Sequence, residues 1–549
     1  MSNKNKLIIL IIFLIGHFLN CQKYLSKYIQ INKTELTLEE KIGQLFIIGV
    51  RGEYLTDDIR ALIRKYKLGN FIIFSPNVKN IYQLEKLTRQ IHKEVIRETG
   101  IMPFISIDQE GGNTVRIKDE TTFYPGHMTI SATNVENAKI IGHMMGQHLI
   151  SLGINMNFAP LLDINNNPKN PIIGIRSFSD RPEIVSQYGI EMIKGMQEEG
   201  IIATAKHFPG HGDTEIDSHL GLPVVPFDTK RLYNMELRPF KDAIDKGVNN
   251  IMTAHIIFKK VDPENPATIS KKILKDILRK DLNYSGLVTS DSMKMKAISE
   301  GITTPLGVAK GIKAGLDLVI VSRNSSLIIN SVNKLTKDVK DNIISMEEID
   351  EKIKRILHYK NIVYSSMKTK FFKNKNNLNI FKNDSLSKTI QDIVDSSLTH
   401  VNGKKLELKG KILLYGCITS PVNLQDDIKN ETIISLINKE LPTFNTVEFR
   451  LGEYSPELIK KAAGYDTVIF IAFNAFTDKS QSKMINEINK ISSNFYVISI
   501  RTPYDYLVLD KNINYYTMYE CTPNSMKTII KFLKGEIEAK GKLPIRLKK

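Results

Sequence analysis

The sequence predicts two α/β domains in tandem: a (β/α)8 TIM-type barrel, followed by a smaller α/β sandwich domain with a mostly parallel sheet. Three observations lead there. From about residue 36 to 365, eight short apolar runs alternate with amphipathic helical stretches. Nearly every run ends on a residue with chemistry to offer: Ser75, Asp108, Lys206 with His207, His255, Asp291, Arg323. Polar residues gathered at the C-terminal ends of eight strand–helix units describe a barrel whose functional face is that end. Beyond a Lys/Asn-rich stretch a shorter strand–helix alternation resumes, and 549 residues are too many for one ordinary core.

Taken in chain order, residues 1–21 read as an export signal. Lys4 and Lys6 make a basic start, and Leu7 to Leu19 is apolar apart from Gly16 and His17. An apolar core of ~13 residues is short for a membrane span. Cys21, directly after it, resembles the lipidated cysteine of bacterial lipoproteins, although Asn20 departs from the small residue usual before the cleavage site. A periplasmic or membrane-anchored lipoprotein is the expectation, with an uncleaved anchor and plain secretion as alternatives.

The catalytic domain is expected over 22–365. Its strands fall at Leu45–Ile48, Phe71–Phe74, Phe104–Ile107 and Ile154–Phe158, then at Ile201–Ala205, Ile251–Ala254, Leu287–Thr289 and Leu318–Val321. Residues 366–385, with Lys368, Lys370, Lys373, Lys375, Asn376 and Asn377, lack periodicity and read as a surface linker. The second domain, 386–549, opens with an amphipathic helix near Leu386–Val401 and has strands at Ile412–Tyr415, Thr467–Ala472 and Phe495–Ile500.

The formal charge of +17 comes from scattered Lys residues, without a recognition helix, finger or aromatic RNA-binding signature. A solvated basic surface is therefore expected and no nucleic-acid partner; an anionic polymer such as cell wall would also suit it. Cys417 and Cys521 sit in apolar surroundings and read as buried free thiols. Nothing in the sequence fixes the oligomeric state.

The densest chemistry lies in Lys206-His207-Phe208-Pro209-Gly210-His211-Gly212-Asp213-Thr214, followed by Asp217-Ser218-His219. It begins where an apolar strand ends and runs through a long loop, the kind of segment that carries function. Three imidazoles with Asp213 or Asp217 offer zinc donors, but their spacing fits no familiar zinc pattern, and the glycines and proline suit a loop around a sugar. No metal or cofactor is expected. Asp291, after small polar residues at a strand end, is placed either to attack a substrate or to cap the next helix.

Together with Ile107-Asp108-Gln109-Glu110-Gly111-Gly112, Arg116, Asn157-Phe158-Ala159-Pro160, Asp163, Asn170-Pro171, Arg176-Ser177-Phe178 and Ser290-Asp291-Ser292-Met293, this segment resembles glycoside hydrolase family 3, and most of all its bacterial β-N-acetylglucosaminidases. The terminal Gly541-Lys542-Leu543-Pro544 resembles the end of the family's second domain. The resemblance implies a retaining exo-β-N-acetylglucosaminidase acting on terminal GlcNAc of peptidoglycan fragments or chito-oligosaccharides. It makes Asp291 the nucleophile and Asp217 with His219 the acid/base dyad. Asp108, Arg116, Arg176, Lys206 and His207 would hold the terminal sugar. A histidine suits acid/base work because its ordinary pKa of about 6.5 lies near working pH. Two rivals come from the same family, a β-glucosidase and a phosphorylase. The chain has no Trp, which such β-glucosidases carry after the nucleophile. A non-catalytic sugar-binding surface lipoprotein is the alternative of another class. Asn113-Thr114-Val115 departs from the family's usual residues before Arg116, and Arg181 stands where an acidic residue is common.

Overall fold

The computed structural model describes residues 35–547 apart from 119, 216, 219, 220, 300, 322, 375 and 422–430. The predicted signal segment with Cys21, and His219, lie outside the described residues.

Eight parallel strands close into the expected barrel. They are β1 (Phe46–Gly49), β2 (Asn70–Ile73), β3 (Phe104–Ile107), β4 (Met156–Asn157), β5 (Ile202–Phe208), β6 (Asn250–Thr253), β7 (Leu287–Ser292) and β8 (Leu318–Val321). Each pairs with its neighbours in sequence, and β8 closes on β1 through Phe46 beside Val319. Helices from Leu38–Gln44 to Met346–Met367 surround it, so the strands are buried on both faces and read as unbroken apolar runs. Local signals agree with the helix starts: Thr37 and Glu40 form a capping box, and Ser345 accepts from the Glu348 N–H.

Polar side chains inside the barrel bind one another. Asn250 donates to Thr204 Oγ1 and accepts from Thr289 Oγ1. Asn157 donates to the Gln109 carbonyl at 2.9 Å and accepts the Gln109 N–H at 3.0 Å. Gln109 Oε1 then accepts the backbone N–H groups of Arg116 and Ile117 at 2.8 and 3.1 Å, tying the β3 loop to the barrel floor.

The second domain holds a six-stranded sheet: β9 (Thr399–Asn402), β10 (Ile412–Cys417), β11 (Asn445–Phe449), β12 (Thr467–Ala472), β13 (Phe495–Ser499) and β14 (Asn514–Thr517). Their spatial order is β9-β14-β13-β12-β10-β11, with only β9 antiparallel to its neighbour. Helix Asp384–Ser397 joins the domains, since Ile390 and Ile393 enter the barrel's core and Val394 enters the second. A third apolar cluster of Met128, Ala132, Tyr504, Tyr519 and Ile545 lies between the domains.

The stretch read as a surface linker is built differently. It forms helical turns, Lys368–Phe372 and Asn377–Lys382, with Phe371 fully buried and Phe381 nearly so. Arg89 stacks on the Phe371 ring at 4.2 Å, and Asn377 donates to the Ser151 carbonyl at 2.7 Å. Two phenylalanines about ten residues apart anchor this strap, a spacing too irregular for a periodic signal to reveal. Cys417 and Cys521 are both buried and form no disulfide among the described residues, as expected.

Candidate active site

The C-terminal strand ends open into two adjoining cavities of about 410 and 280 Å3 that share Asp108, Arg116, Met252 and Asp291. Ile72, Phe74, Phe158, Met295 and Ile320 give the larger cavity an apolar wall, and Lys294, Lys296 and Arg323 give it a cationic rim. Glu110, Arg176, Lys206, His207, His211 and Ser218 line the smaller. All five residues expected to hold the sugar line the smaller cavity, Asp108 and Arg116 bordering both, and Asp291 stands at their junction.

β5 delivers Lys206 and His207 on consecutive positions, and the Lys206–His207 peptide bond is cis. The buried Lys206 ammonium lies 3.1 Å from Asp108 and 2.6 Å from Glu110. Glu110 also receives both Nε and Nη2 of Arg176, at 2.9 and 2.8 Å, a bidentate pairing. Arg116 reaches the other oxygen of Asp108 at 3.3 Å. Burial pushes the Glu110 carboxyl up, but Arg176 and Lys206 outweigh it and hold the group ionised well below the carboxylate range. Lys206 and Arg176 each keep N–H groups beyond those committed here, so both can still donate to a ligand.

The long loop after β5 is held from beneath. Asp163 accepts the N–H groups of His207 and His211 at 3.1 and 2.7 Å and His207 Nδ1 at 2.7 Å. Burial opposes its charge, yet His207 and His211 keep Asp163 below its ordinary value. Asn170 donates to the carbonyls of His211 and Gly212 at 2.9 and 3.0 Å, clamping two loops together. Gly212 is required there, because a Cβ would sit 1.6 Å from the Ile164 carbonyl oxygen. Both ring nitrogens of His211 meet hydroxyls, Thr214 at 2.9 Å and Ser218 at 3.1 Å, and burial takes its pKa down to about 4. Among the described residues no group of three His, Cys, Asp or Glu stands in position to hold a metal ion.

Asp291 continues β7 into the cavity. Its Oδ1 accepts the Ser292 N–H at 2.6 Å. Burial raises its pKa, but His255, His207, that N–H and Lys206 prevail and hold the carboxyl below its ordinary value. Asp217 is half-buried, its carbonyl accepting the Gly221 N–H at 3.0 Å. The adjoining Ser218 carbonyl accepts from Ala297 N at 3.4 Å, so this segment lies over the loop that follows Asp291.

Sequence reasoning assigned no role to Glu110, Asp163, His211 or His255. Glu110 and Asp163 stood in the quoted motifs, but nothing in a sequence says that one carboxylate bridges Lys206 and Arg176. His255 carried a signal as a strand-end histidine. It meets Thr268 Oγ1 at 2.7 Å and the Ser292 carbonyl at 3.0 Å, beside Asp291. Arg181, unexplained in sequence, donates to the Pro544 carbonyl at 3.2 Å and so binds the barrel to the terminal Gly541–Pro544 motif.

Residues 37–359 match the model of the glycosyl hydrolase family 3 N-terminal domain. A beta-hexosaminidase of Alkalilimnicola ehrlichii is 33% identical over 51% of this chain and 81% of its own length. Beta-hexosaminidase A of Pseudoalteromonas piscicida is 36% identical over 49% of this chain, and the matched region spans only 48% of that longer protein. The solved structure of a family 3 beta-N-acetylglucosaminidase from Paenibacillus superposes with a TM-score of 0.83 at 32% identity, covering 93% of this chain and 99% of that one. Barrel, second domain and strand-end cluster thus come together in one assignment: the chain belongs to glycosyl hydrolase family 3.

Proposed function

We propose that the protein is a retaining exo-β-N-acetylglucosaminidase that releases terminal β-linked GlcNAc through a covalent glycosyl-enzyme on Asp291, with Asp217 and His219 as the acid/base dyad. One observation carries the reading: Asp291 is held ionised at the junction of two cavities, with only Oδ1 hydrogen-bonded among the described residues. The names of its relatives, beta-hexosaminidase and beta-N-acetylglucosaminidase, support the sugar.

In the first step a carboxylate oxygen of Asp291 bonds to the anomeric carbon as the glycosidic C–O bond breaks, and His219 protonates the departing oxygen. In the second, His219 takes a proton from water, whose oxygen attacks the same carbon and returns Asp291 to its free carboxylate. Asp217 orients the imidazole and favours its protonated form. Asp108 accepts hydrogen bonds from sugar hydroxyls, while Lys206, Arg116 and Arg176 donate through their remaining N–H groups.

The cationic rim favours peptidoglycan fragments over chito-oligosaccharides. Lys294 and Arg323 also line a further cavity of about 390 Å3 together with Arg51, and such a mouth suits a leaving group that carries carboxylates. Side-by-side turnover of chromogenic β-GlcNAc, chromogenic β-glucose and GlcNAc-anhydromuramyl substrates, with and without phosphate, tests activity and substrate together. Faster glucoside turnover, or turnover that requires phosphate, would replace this reading with one of its rivals. Export as a lipoprotein belongs to the same proposal; labelled palmitate should enter the protein and be lost in Cys21→Ser.

A further inference from the structure

We propose that the second domain positions the sugar-holding turn of the barrel through Glu520, a positioning residue for a reaction whose chemical groups all lie in the first domain. Glu520 follows β14 and reaches across to the barrel. Its Oε2 accepts the Gly126 N–H at 2.6 Å and the Thr129 hydroxyl at 2.7 Å, while Oε1 accepts the Thr522 hydroxyl at 2.7 Å. The carboxylate is 1% exposed.

Gly126 is where two parts of the site meet. On one side it packs against Gly112, whose Cβ, if present, would lie 2.8 Å from the Gly126 Cα and 3.5 Å from Glu520 Oε2. Gly112, at φ +53°, donates to the Tyr124 carbonyl at 2.8 Å. The turn it belongs to is closed by Glu110 N to Thr114 O at 3.0 Å and Thr114 N to Gly111 O at 3.1 Å, and it carries Glu110, the partner of Lys206 and Arg176. On the other side, the neighbouring His127 meets the Arg176 carbonyl through Nδ1 at 2.5 Å. Holding Gly126 therefore fixes both the Glu110 turn and the Arg176 loop.

The choice of group supports the assignment. Adhesion between the domains is already supplied by apolar packing of Met128, Ala132, Tyr504, Tyr519 and Ile545. Burying a carboxylate costs stability unless it makes directed bonds, and what it adds here is direction on one backbone N–H. Two further contacts act on the same face. Asn165, two residues past Asp163, donates to Tyr504 Oη at 2.8 Å, and Asn524 donates to the Phe123 carbonyl at 2.9 Å.

The test compares full-length Glu520→Ala, Glu520→Gln and Thr129→Val with the parent chain. Glutamine keeps the net: its oxygen accepts from Gly126 and Thr129, and its NH2 donates to a rotated Thr522 hydroxyl. Amide exchange over residues 109–117 and 126–130 and kcat/KM on chromogenic β-GlcNAc are the readouts; the kinetic arm alone rests on the proposed activity. Glu520→Ala should speed exchange in both segments and lower kcat/KM by about 10- to 10²-fold, the effect of misplacing a holding group by about 1 Å. Glu520→Gln should stay within about threefold of the parent in both readouts, and Thr129→Val should fall between. Parent-like exchange and turnover in Glu520→Ala, or equal damage in Ala and Gln, overturns the proposal, the latter by assigning the effect to charge. If Glu520→Ala does not fold, Thr129→Val decides, and unchanged exchange there overturns it. A parent chain inactive on β-GlcNAc would remove the proposed function and leave the exchange comparison standing.

Discussion

Asp291, half-buried at the C-terminal end of β7, and Asp505, buried in the helical turn Pro503–Val508 after β13, are carboxylates on the C-terminal side of a parallel strand, one in each domain, yet their environments act in opposite directions. Asp505 accepts the Phe476 N–H at 2.9 Å and the Ser499 hydroxyl at 2.7 Å, and burial prevails over these neutral donors to push its pKa up to about 6. At Asp291 burial acts in the same sense, but His255, His207 and Lys206 outweigh it and the group stays ionised. The barrel's strand ends are populated by charged partners and open onto cavities. Past the strands of the second sheet, Asp505 meets neutral donors, and the buried Glu520 is spent on holding the barrel. Architecture alone does not make a site; convergent charge beside open volume does.

Replacing each aspartate breaks the comparison at its widest point. Asp291→Ala should lower kcat by about 10⁴-fold or more, since the covalent route is gone, while Asp505→Ala should leave kcat per folded molecule unchanged. Near-parental turnover in Asp291→Ala would exclude it as the nucleophile. His219→Ala should slow release of a sugar leaving group by about 10²- to 10⁴-fold. Equal losses for phenolic and sugar leaving groups would mean that His219 transfers no proton.

Much of this was legible in the sequence, for identifiable reasons. All eight barrel strands were, because strands buried on both faces read as continuous apolar runs and their ends carry polar residues in one loop after another. Asp108, Lys206, His207 and Asp291 could be named on the same grounds. The strap after Met367 was not, since its two anchoring phenylalanines have no period. Nor were Glu110 and Glu520, whose work depends on partners 66, 96 and 394 residues away in sequence.

Two stability measurements sharpen the contrast further. Glu110→Ala leaves Lys206 buried without one of its two carboxylates and should cost about 3–5 kcal/mol in denaturant unfolding, as loss of one partner from a buried pair does. Because the folded-state pKa of Glu110 is depressed, its contribution is present above the unfolded value of about 4.3 and is lost as pH falls towards the folded value. Asp505 runs the other way. Its folded pKa is raised, so the folded state binds the proton more tightly, and stability is lost as pH rises from about 4 through about 6. Asp505→Asn should therefore flatten that window and stabilise the protein above it by up to about 3 kcal/mol. No difference in slope between parent and variant would place the aspartate in contact with water or a cation.

Trapping the glycosyl-enzyme separates the proposed roles of Asp291 and His219. In His219→Ala with a phenolic β-GlcNAc substrate, the first step needs little protonation and the second lacks its base, so the intermediate should accumulate. Intact mass spectrometry should show one added N-acetylhexosaminyl group, and peptide mapping should place it on Asp291. An adduct on another carboxylate, or rapid turnover with no adduct, would contradict the account.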